Sequence, residues 1–389
     1  MKIAHIITRL IIGGAQENTL LTVDDLHHHY HDDVTLITGP AEGPEGDLFD
    51  RARERSLQVE LMPELVRAIR PATDLEAYRK LRAAFRRLKP DVVHTHSSKA
   101  GILGRAAAWA ERVPAIVHTI HGMPFGNFES LPRNALYKAL ERWAARRCHA
   151  IVSVCDAMTS QALAAGVGRP EQFSTVYSGM DADAFLNPAR PREAVRRELG
   201  LADDEVAFAT VARLFELKGH DDIIAAAPAV LKTNPKVRFV WIGDGILRER
   251  LLAELERLGI RDDFILTGLV PPGRIPELLS AVDAVIHTSL REGLARVLPQ
   301  ALLVGRPVIS YDVDGAREVV LPETGVLLAP RDVEGLSAAV LRLASDPVLR
   351  EKLGQEGRRR FADQFRHETM TRELRSLYER LLQSGRSRG

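Results

Sequence analysis

Residues 287–310 read HTSLREGLARVLPQALLVGRPVIS, with one acid, Glu292, just before an apolar helical run and an amide, Gln300, eight residues further on. A carboxylate in the turn ahead of a helix lies at the positive end of the helix dipole, while Gln300 falls a turn or more inside, roughly 10 Å away at about 1.5 Å rise per residue. The two groups can therefore meet opposite ends of one extended ligand. Two cations stand in a comparable place earlier: VARLFELKGH carries Arg213 and Lys218 between an apolar run and a helical one. A forked guanidinium and a point-charge ammonium at a strand end suit a diphosphate; a pair of solvated surface cations is the alternative. In TRLIIGGAQENTL, Gly13 and Gly14 let the backbone approach a ligand and open a helix whose N–H groups suit a phosphate. The spacing is not G-x-G-x-x-G, so the usual dinucleotide fingerprint is absent, and a tight turn without ligand stays open. In RFVWIGDGILRERL, Gly243 and Gly245 would let a flat base lie on the backbone, or would make an ordinary turn.

These residues follow short apolar, β-branched runs that alternate with helical patterns. KIAHIIT, DVTLIT, DVVHTH, AIVHTIH, AIVSVC and FSTVYSG occupy the first half, and VAFATVAR, RFVWIGDG, DFILTGLV, DAVIHTS, PVISYDV and GVLLAP the second. Near-continuous apolar strands separated by helices predict α/β architecture with parallel sheets covered on both faces, twice over. In such sheets ligands gather at the carboxyl ends of strands, where these candidates stand. The rhythm breaks at SGMDADAFLNPARPREAVRRELG, with Pro188 and Pro191. The expected domains are 1–183, 184–366 and a C-terminal helix and tail, 367–389, whose stripe of Met370, Leu374, Leu377 and Leu381 must dock, with the first domain as the expected host.

At 389 residues the chain exceeds one comfortable core. A formal charge of +1 with 27% charged residues excludes a disordered or nucleic-acid-coating protein. Cys148 and Cys155 match no zinc or redox spacing and point to a reducing compartment. MKIAHIITRLIIGG is too polar for a signal peptide or a spanning helix, so the expectation is a cytoplasmic protein that meets a membrane, if at all, from its surface. HHHYHDD (His27–Asp33) clusters metal ligands at a helix end without matching ligands elsewhere, and DAD (Asp181–Asp183) and DVD (Asp312–Asp314) read as turns or caps; no metal and no cofactor are expected.

The E-x7-Q stretch, VARLFELKGH, IGDG, TGLV and the amino-terminal double glycine resemble, in order and over nearly the whole chain, the retaining glycosyltransferases of family 4. That resemblance implies the GT-B fold, two Rossmann-like domains facing across a cleft, with an N-terminal acceptor domain and a C-terminal nucleotide-sugar donor domain. It implies that Arg213 and Lys218 bind the donor diphosphate and Glu292 the transferred sugar. Gly14, Leu294, Ala295 and Arg296 would lie near phosphate or sugar oxygens, and Gly243 and Val270 near the base. His121 in VHTIHG matches the family histidine that faces the sugar or leaving phosphate, ahead of His118 within the strand; a histidine satisfied by backbone groups is the alternative at either position. The family signature is E-x7-E, its second glutamate holding the ribose hydroxyls. Here Gln300 departs from it, and neutral hydrogen bonds predict weaker nucleotide binding rather than lost chemistry.

On the acceptor side, THSSKAGILGRAAAW puts Ser97, Ser98 and Lys99 at a strand end, and the segment resembles stretches of family-4 enzymes that build bacterial surface polysaccharides. LPRNALYKALERWAARRCH sets Leu136, Leu140 and Trp143 at helical spacing among five basic residues and one Glu. It reads either as a core-packed helix with a solvated basic face or as a membrane-facing one beside a lipid-linked acceptor. The implied activity is transfer of a hexose-type sugar from a nucleotide diphosphate, UDP ahead of GDP, to a saccharide or lipid-linked hydroxyl. A sugar-nucleotide epimerase, which needs a carboxylate pair not evident here, and a non-catalytic sugar-nucleotide sensor stay open.

Overall fold

The computed structural model describes residues 1–41, 46–126 and 128–386, so residues 387–389 of the expected tail lie outside the described residues. The chain divides into two compact units: Met1–Met180 with Phe365–Gly389, and Asp181–Gln364.

The first unit is a seven-stranded parallel sheet of β1 (Lys2–Ile7), β2 (Asp33–Thr38), β3 (Gln58–Leu61), β4 (Val92–His96), β5 (Ala115–Ile120), β6 (Ala150–Ser153) and β7 (Phe173–Thr175), in the order β3-β2-β1-β4-β5-β6-β7. Every residue of β4 and β5 is buried, as strands covered by helices on both faces require. The order reverses at β1, which pairs with β2 on one side and β4 on the other. In open parallel sheets such a switch point opens a crevice at the strand ends.

The last helix, His367–Arg386, belongs to this first unit. Met370, Leu374, Leu377 and Tyr378 are buried in the core that holds Ile3, Ile7, Val117 and Val152, and Leu381 packs against it. Burying such side chains contributes roughly 1.5–3 kcal/mol each. Polar clips fix the register: buried Asp32 takes the Met1 amino group and Arg375 Nε at 2.5 and 3.0 Å, and Asp25 accepts from Thr371 Oγ1 and pairs with His367 Nδ1 at 2.7 and 2.8 Å. Asp32 of the HHHYHDD cluster is thus a structural anchor.

The second unit carries β8 (Val206–Val211), β9 (Val237–Ile242), β10 (Phe264–Gly268), β11 (Ala284–His287), β12 (Val308–Tyr311) and β13 (Gly325–Leu328), ordered β10-β9-β8-β11-β12-β13 and all parallel. Its core stacks Phe239 on Phe264 and sets Trp241 edge-on to Phe264. Here the order reverses between β8 and β11, the two strands that VARLFELKGH and HTSLREG follow.

Candidate active site

In the second unit the loop after β8 is laced to the loop after β11. Leu290 N donates to Leu217 O at 2.8 Å, Ser289 Oγ to Leu217 O at 3.2 Å, and Thr288 Oγ1 to Gly219 O at 3.0 Å. Gly219, at φ 75°, is required: a Cβ there would lie 2.1 Å from Thr288 O. The lacing carries Lys218 onto Glu292, Nζ to Oε1 at 2.5 Å, both side chains about a fifth exposed (24% and 21%). Burial pushes the Glu292 carboxyl up, but the Lys218 charge, His287 and hydrogen bonds from Lys218 and Ser289 outweigh it and hold the pKa below the ordinary carboxylate value. Glu292 therefore stays ionised at neutral pH.

The acid is held from behind as well. Asp314 Oδ2 accepts the Glu292 N–H at 2.8 Å, and Gly315 N donates to Gly293 O at 3.0 Å. DVD runs from the end of β12 into a 3-10 helix, Asp314–Glu318, and through Asp314 it fixes the Glu292 loop. Buried His287 places Nε2 3.8 Å from Glu292 Oε1, and burial lowers its pKa to about 4, with Glu292 offsetting part of the drop. The imidazole is thus neutral.

Arg213 is exposed at the start of the same loop, its guanidinium 4.6 Å from the Phe215 ring centre. Leu294, Ala295 and Arg296 continue from Glu292 into the short helix Val297–Leu303, with Leu294 and Ala295 buried at 7% exposure. Gln300 stands half-buried within that helix. Gly243, at φ 139°, follows β9; a Cβ would meet Ala212 O at 2.2 Å, and its N–H donates to Gly268 O at 3.0 Å. Close packing of the loops after β8, β9 and β10 thus accounts for this glycine without a ligand. Val270 lies two residues beyond Gly268, half-buried.

In the first unit, Gly13 precedes the helix Gly14–His28 in extended backbone, φ 179°, and a Cβ there would meet only the end of the Gln16 side chain. The fold itself therefore does not demand glycine at 13. Ser97 Oγ bonds Thr8 N and Oγ1 at 3.2 and 2.7 Å, joining the ends of β1 and β4 at the switch point. Lys99 pairs with Asp74 and donates to Ala68 O, so both Ser97 and Lys99 have internal partners; Ser98 begins the next helix, half-buried. His121 follows β5, half-buried, with Nε2 3.1 Å from His96 Nδ1, whereas His118 is fully inside and bonds Thr95 Oγ1 at 2.9 Å.

Sequence reasoning missed the group behind His121. His5 on β1 pairs in register with His94 on β4, and His94 and His96 share a face by strand alternation. Among the described residues these three form the one group with metal-compatible spacing, ligand atoms within 4.8 Å. The signal was the H-x-H of DVVHTH beside the His of KIAHIIT.

The helix Leu131–Ala145 buries Glu141, Ala144 and Ala145 instead of its leucines: Glu141 pairs with buried Arg105 at 2.7 Å, while Leu131, Leu136 and Trp143 are 85%, 51% and 41% exposed. The core-packed reading of its apolar stripe does not describe this helix. No helix among the described residues is long and apolar enough to cross a membrane.

The family models for group 1 glycosyl transferases and for the glycosyl transferase 4-like domain match residues 191–360 and 13–179. The UDP-Gal:α-D-GlcNAc-diphosphoundecaprenol α-1,3-galactosyltransferase of Escherichia coli is 29% identical over 353 residues, covering 90% of this chain and 89% of that protein. The 2-deoxystreptamine glucosyltransferase of Streptomyces kanamyceticus is 29% identical over 72% of this chain and 75% of its own. Among solved structures, Anabaena HepE in complex with UDP-glucose superposes with a TM-score of 0.81 at 22% identity, covering 97% of this chain and 99% of that one. With two doubly wound parallel sheets and both family models in sequence, the chain belongs to the family-4 glycosyltransferases of the GT-B fold and is a glycosyltransferase (EC 2.4).

Proposed function

We propose that the protein moves a hexose-type sugar, with retention, from a nucleotide diphosphate to a hydroxyl of a saccharide or lipid-linked acceptor. UDP-sugars stand ahead of GDP-sugars because the Escherichia coli relative is named for UDP-Gal and HepE was crystallised with UDP-glucose. The observation that carries the reading is the meeting of Lys218 and Glu292 at the reversal point of the second sheet, on the loop that Arg213 opens. The second unit is the donor domain and the first the acceptor domain.

Arg213 and Lys218 take up charge as the diphosphate leaves, doing electrostatic work that needs no reorganisation during the reaction. Glu292, kept ionised by Lys218, accepts hydrogen bonds from sugar hydroxyls. Gln300 bonds the ribose, and the backbone at Gly13, Gly14, Leu294, Ala295 and Arg296 approaches phosphate or sugar oxygens, with Gly243 and Val270 near the base. His121 addresses the sugar or the leaving phosphate. Front-face attack, with that phosphate helping to deprotonate the acceptor, accounts for retention without a protein nucleophile. Ser97, Ser98 and Lys99 edge the acceptor side.

A thermal-shift screen of UDP-, GDP- and ADP-sugars tests the donor, because a ligand that binds the folded state raises the melting temperature by mass action. Incubation of the stabilising donor with and without an acceptor panel, read by NMR of the anomeric carbon, tests the reaction. An α-donor giving an α-linked product is expected. Inversion removes the mechanism, epimerised donor selects the epimerase, and binding without turnover selects the sensor.

A lipid-linked acceptor fits the exposed Leu131, Leu136 and Trp143, which share a helix with Arg133, Lys138, Arg142 and the following Arg146 and Arg147. Apolar anchors beside basic residues favour an anionic surface. Co-sedimentation with phosphatidylglycerol vesicles should drop several-fold in Leu136→Glu/Trp143→Glu; undiminished binding removes the membrane contact.

A further inference from the structure

Behind His121 the first unit holds a row of imidazoles. His96 Nδ1 lies 3.1 Å from His121 Nε2, and His96 Nε2 lies 3.0 Å from His5 Nδ1. The planes of His5 and His96 lie within 14° of each other with centroids 5.2 Å apart, and those of His96 and His121 within 30° at 5.4 Å, so the rings meet edge to edge, as hydrogen bonds between ring nitrogens require. His94 stands beside the row, its Nδ1 bonded to Tyr378 Oη and its Nε2 to Thr119 Oγ1 at 2.7 Å. Tyr378 belongs to the returning C-terminal helix, which closes this face of the sheet.

A neutral imidazole has one N–H and one lone pair. Burial keeps both inner rings neutral, lowering His5 to about 3 and His96 well below its ordinary value. With one hydrogen per ring, the two bonds of the row must run in the same direction. If they run inward, His5 carries its hydrogen on Nε2, which is buried with no hydrogen-bond partner among the described residues. If they run outward, the same atom is a bare lone pair. A buried N–H without acceptor is the rarer and costlier defect, so the outward direction holds.

We propose that His5 and His96 are positioning residues that lock His121 in the Nδ1–H tautomer, making it a hydrogen-bond donor to a sugar hydroxyl or phosphate oxygen rather than a base. The assignment of a use to that donor rests on the reading of His121 as a site residue; the tautomer itself does not. His96 Nδ1–H fills the Nε2 lone pair of His121, and the remaining nitrogen carries the hydrogen. The spacing of His5, His94 and His96 would also suit a metal ion, yet every ring nitrogen of the three except His5 Nε2 is already hydrogen-bonded.

The full-length chain, labelled with 15N in its histidine rings, gives the test by long-range proton–nitrogen correlation, with His121→Gln identifying the His121 signals. The expected pattern for His121 is a protonated, pyrrole-type Nδ1 and a pyridine-type Nε2. The reverse pattern, or averaged signals, in the wild-type protein overturns the proposal. His96→Leu should average the two nitrogens and lower kcat about tenfold with donor KM unchanged, and His96→Asn, which retains a short polar group, should recover most of it. Unchanged tautomer and kcat in His96→Leu sinks the inference alone. Failure of the wild type to turn over any donor sinks the functional reading while leaving the tautomer measurable. Zn2+ titration that shifts His5 and His96 to metal-bound positions also overturns the row.

Discussion

Removing Lys218 should turn Glu292 from a stabilising group into a burden, and the size of that reversal follows from the geometry. Two unit charges 4 Å apart attract by about 4 kcal/mol at an effective dielectric of 20. The 2.5 Å pair is closer than that, but both partners are only about a fifth exposed and desolvation returns most of the gain. A net coupling of about 1.5 kcal/mol results, above the roughly 0.2–1 kcal/mol of open surface pairs. Lys218→Met keeps the aliphatic length and deletes the charge, while Glu292→Gln deletes the other. In a unit of this size about 1.5 kcal/mol corresponds to about 3–6 °C in Tm. The sign with pH is fixed by the lowered Glu292 pKa. In the wild type its contribution is present above the unfolded carboxylate value, about 4.3, and is lost as pH falls through the lower native value. In Lys218→Met the burial penalty loses its main counterweight, so the deficit is largest at neutral pH and closes as the carboxyl protonates. Scanning calorimetry of wild type, both single variants and the double variant at pH 7.5 and 5 measures this. Additivity within about 0.3 kcal/mol, or a deficit that does not shrink with acid, would refute the pair as an energetic unit.

Arg213→Ala and Lys218→Ala should each lower kcat/KM by about 10²–10³, while Glu292→Gln lowers kcat with a modest change in donor Kd; unchanged turnover in all three removes the site. Gln300→Glu should tighten the donor Kd by about 1 kcal/mol, roughly fivefold, by calorimetric titration, and weaker binding would place Gln300 away from the ribose. Buried histidines make the fold acid-sensitive: His5, His94, His96 and His118 in the first unit and His220 and His287 in the second all have lowered pKa values. Such groups stabilise above the unfolded value of about 6.5 and lose about 1.4 kcal/mol per pH unit each as pH drops toward the native value. Between pH 6 and 4.5 the first unit should therefore unfold ahead of the second, seen by hydrogen exchange resolved along the chain; the opposite order contradicts the burial of these rings.

Twelve of the strands were legible because they are short runs rich in β-branched and apolar residues, as strands covered on both faces tend to be. β3 was not: QVEL lies at the sheet edge with both ends exposed, and its sequence has no continuous apolar run. Glu292, Lys218 and Arg213 were visible because a charge directly after an apolar strand is conspicuous. Their neighbours were not, since Asp314 lies 22 residues from the amide it holds and looks like any turn aspartate. His287 ends a buried strand, and nothing in DAVIHTS reports that a carboxylate will stand 3.8 Å away. The histidine row needed strand order as well as strand existence, because only the pairing of β1 with β4 brings His5 beside His94. Side-chain exposure was the other gap: helical spacing locates Leu136 and Trp143 on the Leu131–Ala145 helix but does not say which side the sheet will cover.

The chain passes through the whole of the second unit before it supplies the helix that closes the first. On a ribosome the first 180 residues therefore emerge with the sheet face that Tyr378 later seals still bare, while residues 181–364 form a continuous segment able to finish earlier. Order of synthesis and order of completion are reversed. A premature stop after Gln364 would injure the part of the molecule made first, leaving His94 and the apolar surface around Val117 and Val152 open to water or to a chaperone.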